Sequence, residues 1–513
     1  MQLSKKTLKE ISTKNGLIIP DEKLFTLPEK VLQFGTGVLL RGLPDYFIDK
    51  ANRQGIFNGR IVIIKSTATG GADAFDTQDG LYTLCVKGIE NGKTVEENII
   101  HSAVSRVLSA ATQWNEILQC AANPDMRLII SNTTEVGIVL DADDDLHASP
   151  PRSFPAKLLA FLYKRYRIFN GDPAKGMVII PTELITDNGE KLEAIIEELA
   201  HQNNLEYAFM DWLENANFFC NSLVDRIVPG KLPPAMQAKV NAETGYTDEL
   251  MIMSEVYRLW AIESDSKKVV DTLSFSKADP GVIITADIDL FRELKLRLLN
   301  GSHTFNCGLA WLAGFRTVKE AAGNADFSVF LNRLMIQEIA PAITNPGLSM
   351  EAAREFAGKV QERFRNPHIE HQWLSITMQY SSKMKLRNIP IIQNYLDRFD
   401  TVPECITLGF AAHLLFMKCE KGSDGKFYGE ANGEKYLVND DNAGWYAEKW
   451  QQAENIPQLT KSILGDETFW GMNFDAHAGF VNAISSKLQE LIKSGAMAAI
   501  KQISQFANPA GVS

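Results

Sequence analysis

KVLQFGTGVLLRG, residues 30–42, decides how the first half of the chain is read. Its first six residues have the short apolar character of a buried strand, and the strand runs straight into a glycine turn. Gly35 and Gly37 match the opening of the G-x-G-x-x-G pattern, while Leu40 stands where the third glycine belongs. A tight turn after a strand lets backbone N–H groups at a helix N-terminus face a pyrophosphate, and Arg41, one turn on, would add a positive charge. A plain strand-to-helix turn looks similar, so the reading depends on what surrounds the motif.

Three further runs surround it: RIVIIKS (60–66), RLIISNT (127–133) and GMVIIPTE (176–183). They are rich in β-branched residues, bounded by turn residues and free of polar alternation. Helical patterns such as EKLEAIIEELAHQ (190–202) follow them, the pattern of a parallel sheet buried on both faces. GVIITADI (281–288) reads as the last strand. The acidic residue that would hold an adenosine ribose at the end of the second strand is missing; Lys65-Ser66-Thr67 stand there, so NAD and NADP both remain open.

From about 290 to 420 the periodicity is helical, as in NADFSVFLNRLMIQEIAPAI (324–343) and SMEAAREFAGKVQERF (349–364). KFYGEANGEKYLV (426–438) reads as a hairpin around a type I′ turn at Asn432-Gly433. No internal repeat or low-complexity segment is found. The expectation is an α/β domain with a parallel-rich sheet over residues 1–287, then a mostly α-helical domain with a small hairpin over residues 288–513.

Composition narrows the class. The 513 residues are 45% hydrophobic and 22% charged, with core-forming material for several domains. Fifty-two basic against 63 acidic residues leave a net charge of −11, which disfavours nucleic acid and requires a local cation cluster for any anionic ligand. The six cysteines never form C-x-x-C pairs, which suits reduced thiols in the cytoplasm. CITLGFAAHLLFMKC (405–419) is too short to span a bilayer and reads as a buried helix, and the N-terminus lacks the apolar core of a secretion signal. No membrane partner is expected.

Two patterns invite a metal and fail. DADDDLHASPP (141–151) has Leu146 where a calcium loop needs glycine and Arg152 where it needs glutamate. His368 and His371, with Pro367 read as a helix start, lack a third ligand nearby. No metal is expected.

A second stretch carries the chemistry. FRELKLRLLNGSHTFNCG (291–308) is a leucine-rich helix that nevertheless holds Lys295, Asn300, Gly301 and His303. At 100° per residue, His303 lies about 80° and Asn300 about 140° around the axis from Lys295, a sector broad enough to converge on one small molecule. Each residue alone also reads blandly, as a surface lysine, an amide at a kink and a core histidine.

The segment K-x-x-x-x-N-G-x-H resembles the signature of the long-chain polyol-specific dehydrogenases, the mannitol 2-dehydrogenase family. The likeness extends through QFGTGVLLRG, TQDGLYT (77–83), SNTTEVGI (131–138), SFPAKL (153–158), NSLVDRIVP (221–229) and RFRNPHI (363–369), and SNTTE, IIPTELI and LVDRIV are similar to the branch acting on hexuronates. The resemblance implies a metal-independent NAD-dependent oxidoreductase, NADP not excluded, with a Rossmann domain and a helical domain. Its small-molecule partner would be a hexuronate or aldonate, and the chain a monomer or weak homo-oligomer. It implies Lys295 as catalytic acid/base, with Asn300 and His303 bonding the reacting oxygen. Lys383, Asp225, Glu183 and Arg387 would meet substrate; Lys385 and Arg365 are further candidates for its carboxylate. Phe34, Gly35, Thr36, Gly37, Arg41, Lys65, Asp79, Asn132, Thr133 and Glu135 would meet the cofactor. Two positions depart from the mannitol enzymes: Thr182-Glu183-Leu184 replaces D-N-L, so glutamate stands for an oxyanion-side asparagine, and Ser375 replaces a substrate-binding arginine. Rival readings are a sister enzyme for another sugar, a non-catalytic nucleotide sensor and a helical interaction module.

Overall fold

The computed structural model describes residues 1–11, 16–66, 73–133 and 136–506. The chain divides into two compact units, Met1–Gly88 with Lys93–Ile288, and Ile89–Gly92 with Asp289–Ser513.

The first unit is built on six strands: β1 (Glu29–Phe34), β2 (Arg60–Lys65), β3 (Val104–Ser109), β4 (Leu128–Ser131), β5 (Val178–Pro181) and β6 (Phe218–Phe219). They lie in the order β3-β2-β1-β4-β5-β6, each neighbouring pair parallel. This is the dinucleotide-binding order, which reverses direction between β1 and β4. Successive residues alternate between two cores: Val31, Ile63, Leu128, Ile130 and Val178 pack on one side, Leu32, Val62, Ile64, Ile129 and Ile179 on the other. Both faces are covered, which is why the sequence shows no polar alternation.

The apolar runs at β1, β2, β4 and β5 form parallel strands as read. The two edge strands escape the pattern, because β3 carries Ser105 and an exposed Arg106 and β6 is two residues long. GVIITADI is the first unit's last strand as read, Val282–Thr285, but it pairs with Leu259–Glu263 in a separate three-stranded sheet completed by Ser222–Asp225. Hydrophobicity marks a buried strand without naming its sheet.

The second unit is helical, with the hairpin Phe427–Ala431/Glu434–Leu437. Asn432 and Gly433 have φ of 54° and 76°, the paired positive values of a type I′ turn. Glu404–Phe416 is a buried helix as expected, and among the described residues no helix is long and apolar enough to cross a membrane. Pro367 is corrected: it follows the helix Met350–Phe364 instead of starting one, so His368 and His371 do not share a helical face.

The helix after the glycine turn is broken at Leu43 (φ −133°) into Val38–Gly42 and Pro44–Arg53. Pro44 displaces the preceding residue from helical geometry. Pro44–Arg53 carries two acids inward. Asp49 is buried, but the nearby His101 and Arg53 and the Ser102 N–H, which donates at 2.8 Å, outweigh burial and hold its acid below the ordinary value. For Asp45, burial wins over Gln33 and Arg41 and pushes the carboxyl up to about 8. An acid raised in the folded state gives its full stability below the unfolded value near 4 and loses it as pH rises toward about 8. The loss is at most about 1.4 kcal/mol per pH unit. Asp45→Asn should therefore raise the melting temperature at pH 8, with the difference vanishing near pH 4 in melts followed by circular dichroism.

Candidate active site

The sequence candidates fall into two groups, one in each unit. In the first unit they gather at the carboxyl ends of β1, β2, β4 and β5. Gly35 follows β1 at φ +123°, and a Cβ there would meet the Asn132 carbonyl and the Leu40 side chain, each at 2.9 Å. Only glycine fits both the conformation and the approach. Gly37 caps Val38–Gly42 without a side-chain hydrogen bond, and a Cβ on it would enter open space. Uncapped N–H groups beside an open face, at the strand-order reversal, fit a dinucleotide pyrophosphate. Phe34 is buried beneath the turn, Thr36 is partly exposed in it, and Lys65 ends β2 on the expected ribose side.

Two expected cofactor contacts have partners within the protein. Arg41 is buried, donates to the Leu250 carbonyl at 2.7 Å and lies over the Tyr82 ring at 5.3 Å, because the break at Leu43 turns this short helix back into the core. Asp79 takes the Lys5 N–H at 2.9 Å in a left-handed turn at φ 54°, a local structural task. Glu135 and Thr67 lie outside the described residues.

Glu183, expected to meet substrate, is engaged by the neighbouring strand end. Its carboxylate, 3% exposed, accepts from Ser131 Oγ at 3.1 Å and from Thr133 N–H and Oγ1 at 2.8 and 3.0 Å. Burial pushes this acid up, and the bonds from Thr133 and Ser131 pull it back. Beside it, Asn132 Nδ2 donates to the Thr182 carbonyl and hydroxyl, each at 3.0 Å. The ends of β4 and β5 are thus clasped together. Asp225 is buried at the end of its strand, opposite Leu259. The neighbouring Arg226 gives its guanidinium to the Glu255 and Gly42 carbonyls at 2.9 and 2.6 Å.

In the second unit the leucine-rich stretch departs from the α-helix expected. Leu294–Gly301 is a π-helix between Asp289–Glu293 and Ser302–Leu312. The 100° spacing therefore does not hold between Lys295 and Asn300. An i→i+5 turn brings residues five apart one above the other, and these two are five apart. A second π segment, Met384–Asn388, packs against the first. Gly301 permits this approach: its Cβ would stand 3.0 Å from Ile391 Cδ1, and its carbonyl accepts from Asn388 Nδ2 at 3.2 Å.

His303 is 8% exposed, its ring stacked on Phe364 at 4.3 Å and 6°, with His371 edge-on at 5.3 Å. Burial first, then His371, Arg363, Arg387 and Lys383, hold its imidazole well below the ordinary value, so the ring is neutral. Its Nε2 is buried without a hydrogen-bond partner. Lys383 Nζ donates to the Ile376 carbonyl at 2.9 Å; burial and then Arg387 hold its pKa below the ordinary lysine value. Arg387 donates to Thr304 Oγ1 at 3.3 Å, and that hydroxyl donates to the Asn300 carbonyl at 2.8 Å. Lys295 is half-buried on the π segment. The structure thus gathers Lys295, Asn300, His303, Lys383 and Arg387 on two adjoining segments. Lys385 is exposed, and Arg365 is exposed and donates to Ser328 Oγ at 2.9 Å.

The sequence reading missed Phe364, Arg363, His371, Thr304 and Asn388, which support this group. RFRNPHI held two of them, Arg363 and Phe364, and His371 had been weighed only as a metal ligand. Among the described residues no group of three or more His, Cys, Asp or Glu is placed to hold a metal.

Residues 29–274 match the family description Mannitol dehydrogenase Rossmann domain, and residues 287–492 match Mannitol dehydrogenase C-terminal domain. Altronate oxidoreductase of Bacillus subtilis is 36% identical over 93% of this chain and 95% of its own; that of an Escherichia coli O7:K1 strain is 35% identical over 93% and 97%. Among solved structures, Pseudomonas fluorescens mannitol 2-dehydrogenase with NAD and D-mannitol superposes at TM-score 0.67 and 22% identity, covering 98% of this chain and all of that one. A substrate-free D-sorbitol dehydrogenase superposes at 0.79 and 20% identity with the same coverage.

A base whose pKa is lowered by folding loses stability as pH falls below its ordinary value near 6.5. Histidine-labelled NMR should accordingly show a neutral His303 ring at pH 6, and an imidazolium there would contradict this environment.

Proposed function

Because the chain belongs to the mannitol dehydrogenase family and is an oxidoreductase binding a nicotinamide dinucleotide, we propose that it reduces D-tagaturonate to D-altronate with NADH, reversibly, in hexuronate breakdown. The observation that carries this reading is the Lys295–Asn300 pair on a π turn, beside a neutral His303 and the cations Lys383 and Arg387. Altronate oxidoreductase relatives at 36 and 35% identity support the sugar-acid branch.

Lys295 gives a proton to the carbonyl oxygen during reduction and takes it back during oxidation. The Asn300 amide and the His303 imidazole face the charge developing on that oxygen; a neutral ring serves there as a hydrogen-bond donor without competing for the proton. The dinucleotide, held by the turn at Gly35–Gly37 and the edge at Asn132–Thr133, supplies the hydride. Lys383, with Arg387 beside it, holds the substrate carboxylate. Two half-buried cations so close repel each other, and an anion between them relieves that repulsion. Arg387 also steadies the Asn300 backbone through Thr304.

Three outcomes test this. Tagaturonate, fructuronate and fructose, each with NADH and NADPH, should rank tagaturonate with NADH first by absorbance. A preference for fructuronate or fructose would move the chain to a fructuronate reductase or a mannitol-type enzyme, and dinucleotide binding without turnover to a sensor. Lys295→Ala should lose most turnover while still binding NADH, and Asn300→Ala should slow turnover on the order of 10²-fold. Lys383→Ala should raise KM for the uronate about tenfold or more while leaving a neutral ketose little changed; an unaltered KM would remove the carboxylate assignment.

A further inference from the structure

Glu183 holds a buried carboxylate on neutral donors alone. Ser131 Oγ, Thr133 N–H and Thr133 Oγ1 point at it, and among the described residues no lysine, arginine or histidine pairs with it. A buried charge without a counter-ion is costly. Burial raises this acid and the three hydrogen bonds favour its charged form, whose field no counter-ion cancels and salt screens poorly.

Its place in the sheet says what that field reaches. The strand order reverses between β1 and β4. The turn after β1 faces the pyrophosphate and the end of β2 faces the adenosine ribose, so the second mononucleotide half falls to the side of β4 and β5. Glu183 follows β5 and clasps the end of β4. The ring on that side carries one positive charge when oxidised and none when reduced.

We propose that Glu183 sets the redox preference of the bound cofactor: its buried carboxylate stabilises the cationic, oxidised nicotinamide over the uncharged reduced one. This rests on the dinucleotide reading above. The same charge favours ketone reduction, because positive charge develops on the ring as hydride departs from it to the carbonyl carbon and Lys295 protonates the oxygen. Leu184, 64% exposed, leaves the carboxylate as the one charged group of the Thr182-Glu183-Leu184 segment.

The test is calorimetric and needs no substrate. Glu183→Gln keeps the oxygen that accepts from Thr133, turns an amide N–H toward Ser131 Oγ, which can accept it, and removes the charge. Dissociation constants for NAD+ and NADH are measured on the full chain at pH 7.5, for the wild type and the variant. The ratio of the NAD+ constant to the NADH constant should rise about tenfold, with NADH affinity nearly unchanged. Equal weakening of both nucleotides, or an unchanged ratio, would overturn the proposal, because a purely structural clasp behaves that way. Glu183→Asp, which retains the charge, should stay near the wild-type ratio, and a tenfold rise in it would also count against the charge. Should Glu183→Gln not fold, Glu183→Asn takes its place with the same expectations. A wild type that binds neither nucleotide would sink the dinucleotide reading itself, and this inference with it.

Discussion

At residue 35 the chain passes so close to its neighbour that a single methyl group would strike the Asn132 carbonyl at 2.9 Å. That approach joins the end of β1 to the end of β4 where the sheet reverses, and the first unit's chemistry is arranged around it. The turn leaves Gly37 facing open space, and Asn132 in turn reaches the Thr182 backbone. Glu183 closes the row through Ser131 and Thr133. One missing side chain thus lets three strand ends act as a rigid edge.

The second unit depends on a different economy of space. Two π segments lie together because Gly301 offers no side chain and Asn388 can reach its carbonyl. One segment carries Lys295 and Asn300, the other is entered by Lys383 and contains Arg387. Thr304 ties them, accepting from Arg387 and donating to the Asn300 carbonyl. His303 is packed flat on Phe364 among cations, which keeps its ring neutral.

Much of this was legible in the chain. The four apolar runs read as parallel strands because a sheet covered on both faces needs no polar alternation, and Asn432-Gly433 announced its own turn. β3 and β6 did not show, since edge strands are short or polar. Val282–Thr285 looked like its neighbours but belongs to another sheet. Arg41 was read beside the phosphate from its place one turn into the helix; the Leu250 carbonyl that takes its guanidinium lies far along the chain, beyond any local pattern. Glu183 was placed by analogy with an asparagine that meets substrate; the hydroxyls of Ser131 and Thr133 that claim it lie some fifty residues away, beyond any local pattern. The trio Lys295, Asn300 and His303 was found from spacing, although the period used was the wrong one.

That last point bears on how such a segment can vary. A π turn is a helix holding one residue more than an α-helical turn would. Deleting any residue between 294 and 301 would relax it to the ordinary period and swing everything upstream, Lys295 included, by about 100° relative to Asn300 and His303. Outside Lys295, Asn300, Gly301 and the buried leucines, side chains along this stretch can drift, but its length cannot. An alignment gap falling between the lysine and the asparagine of a related chain would mark a protein that has kept the architecture and lost the reaction.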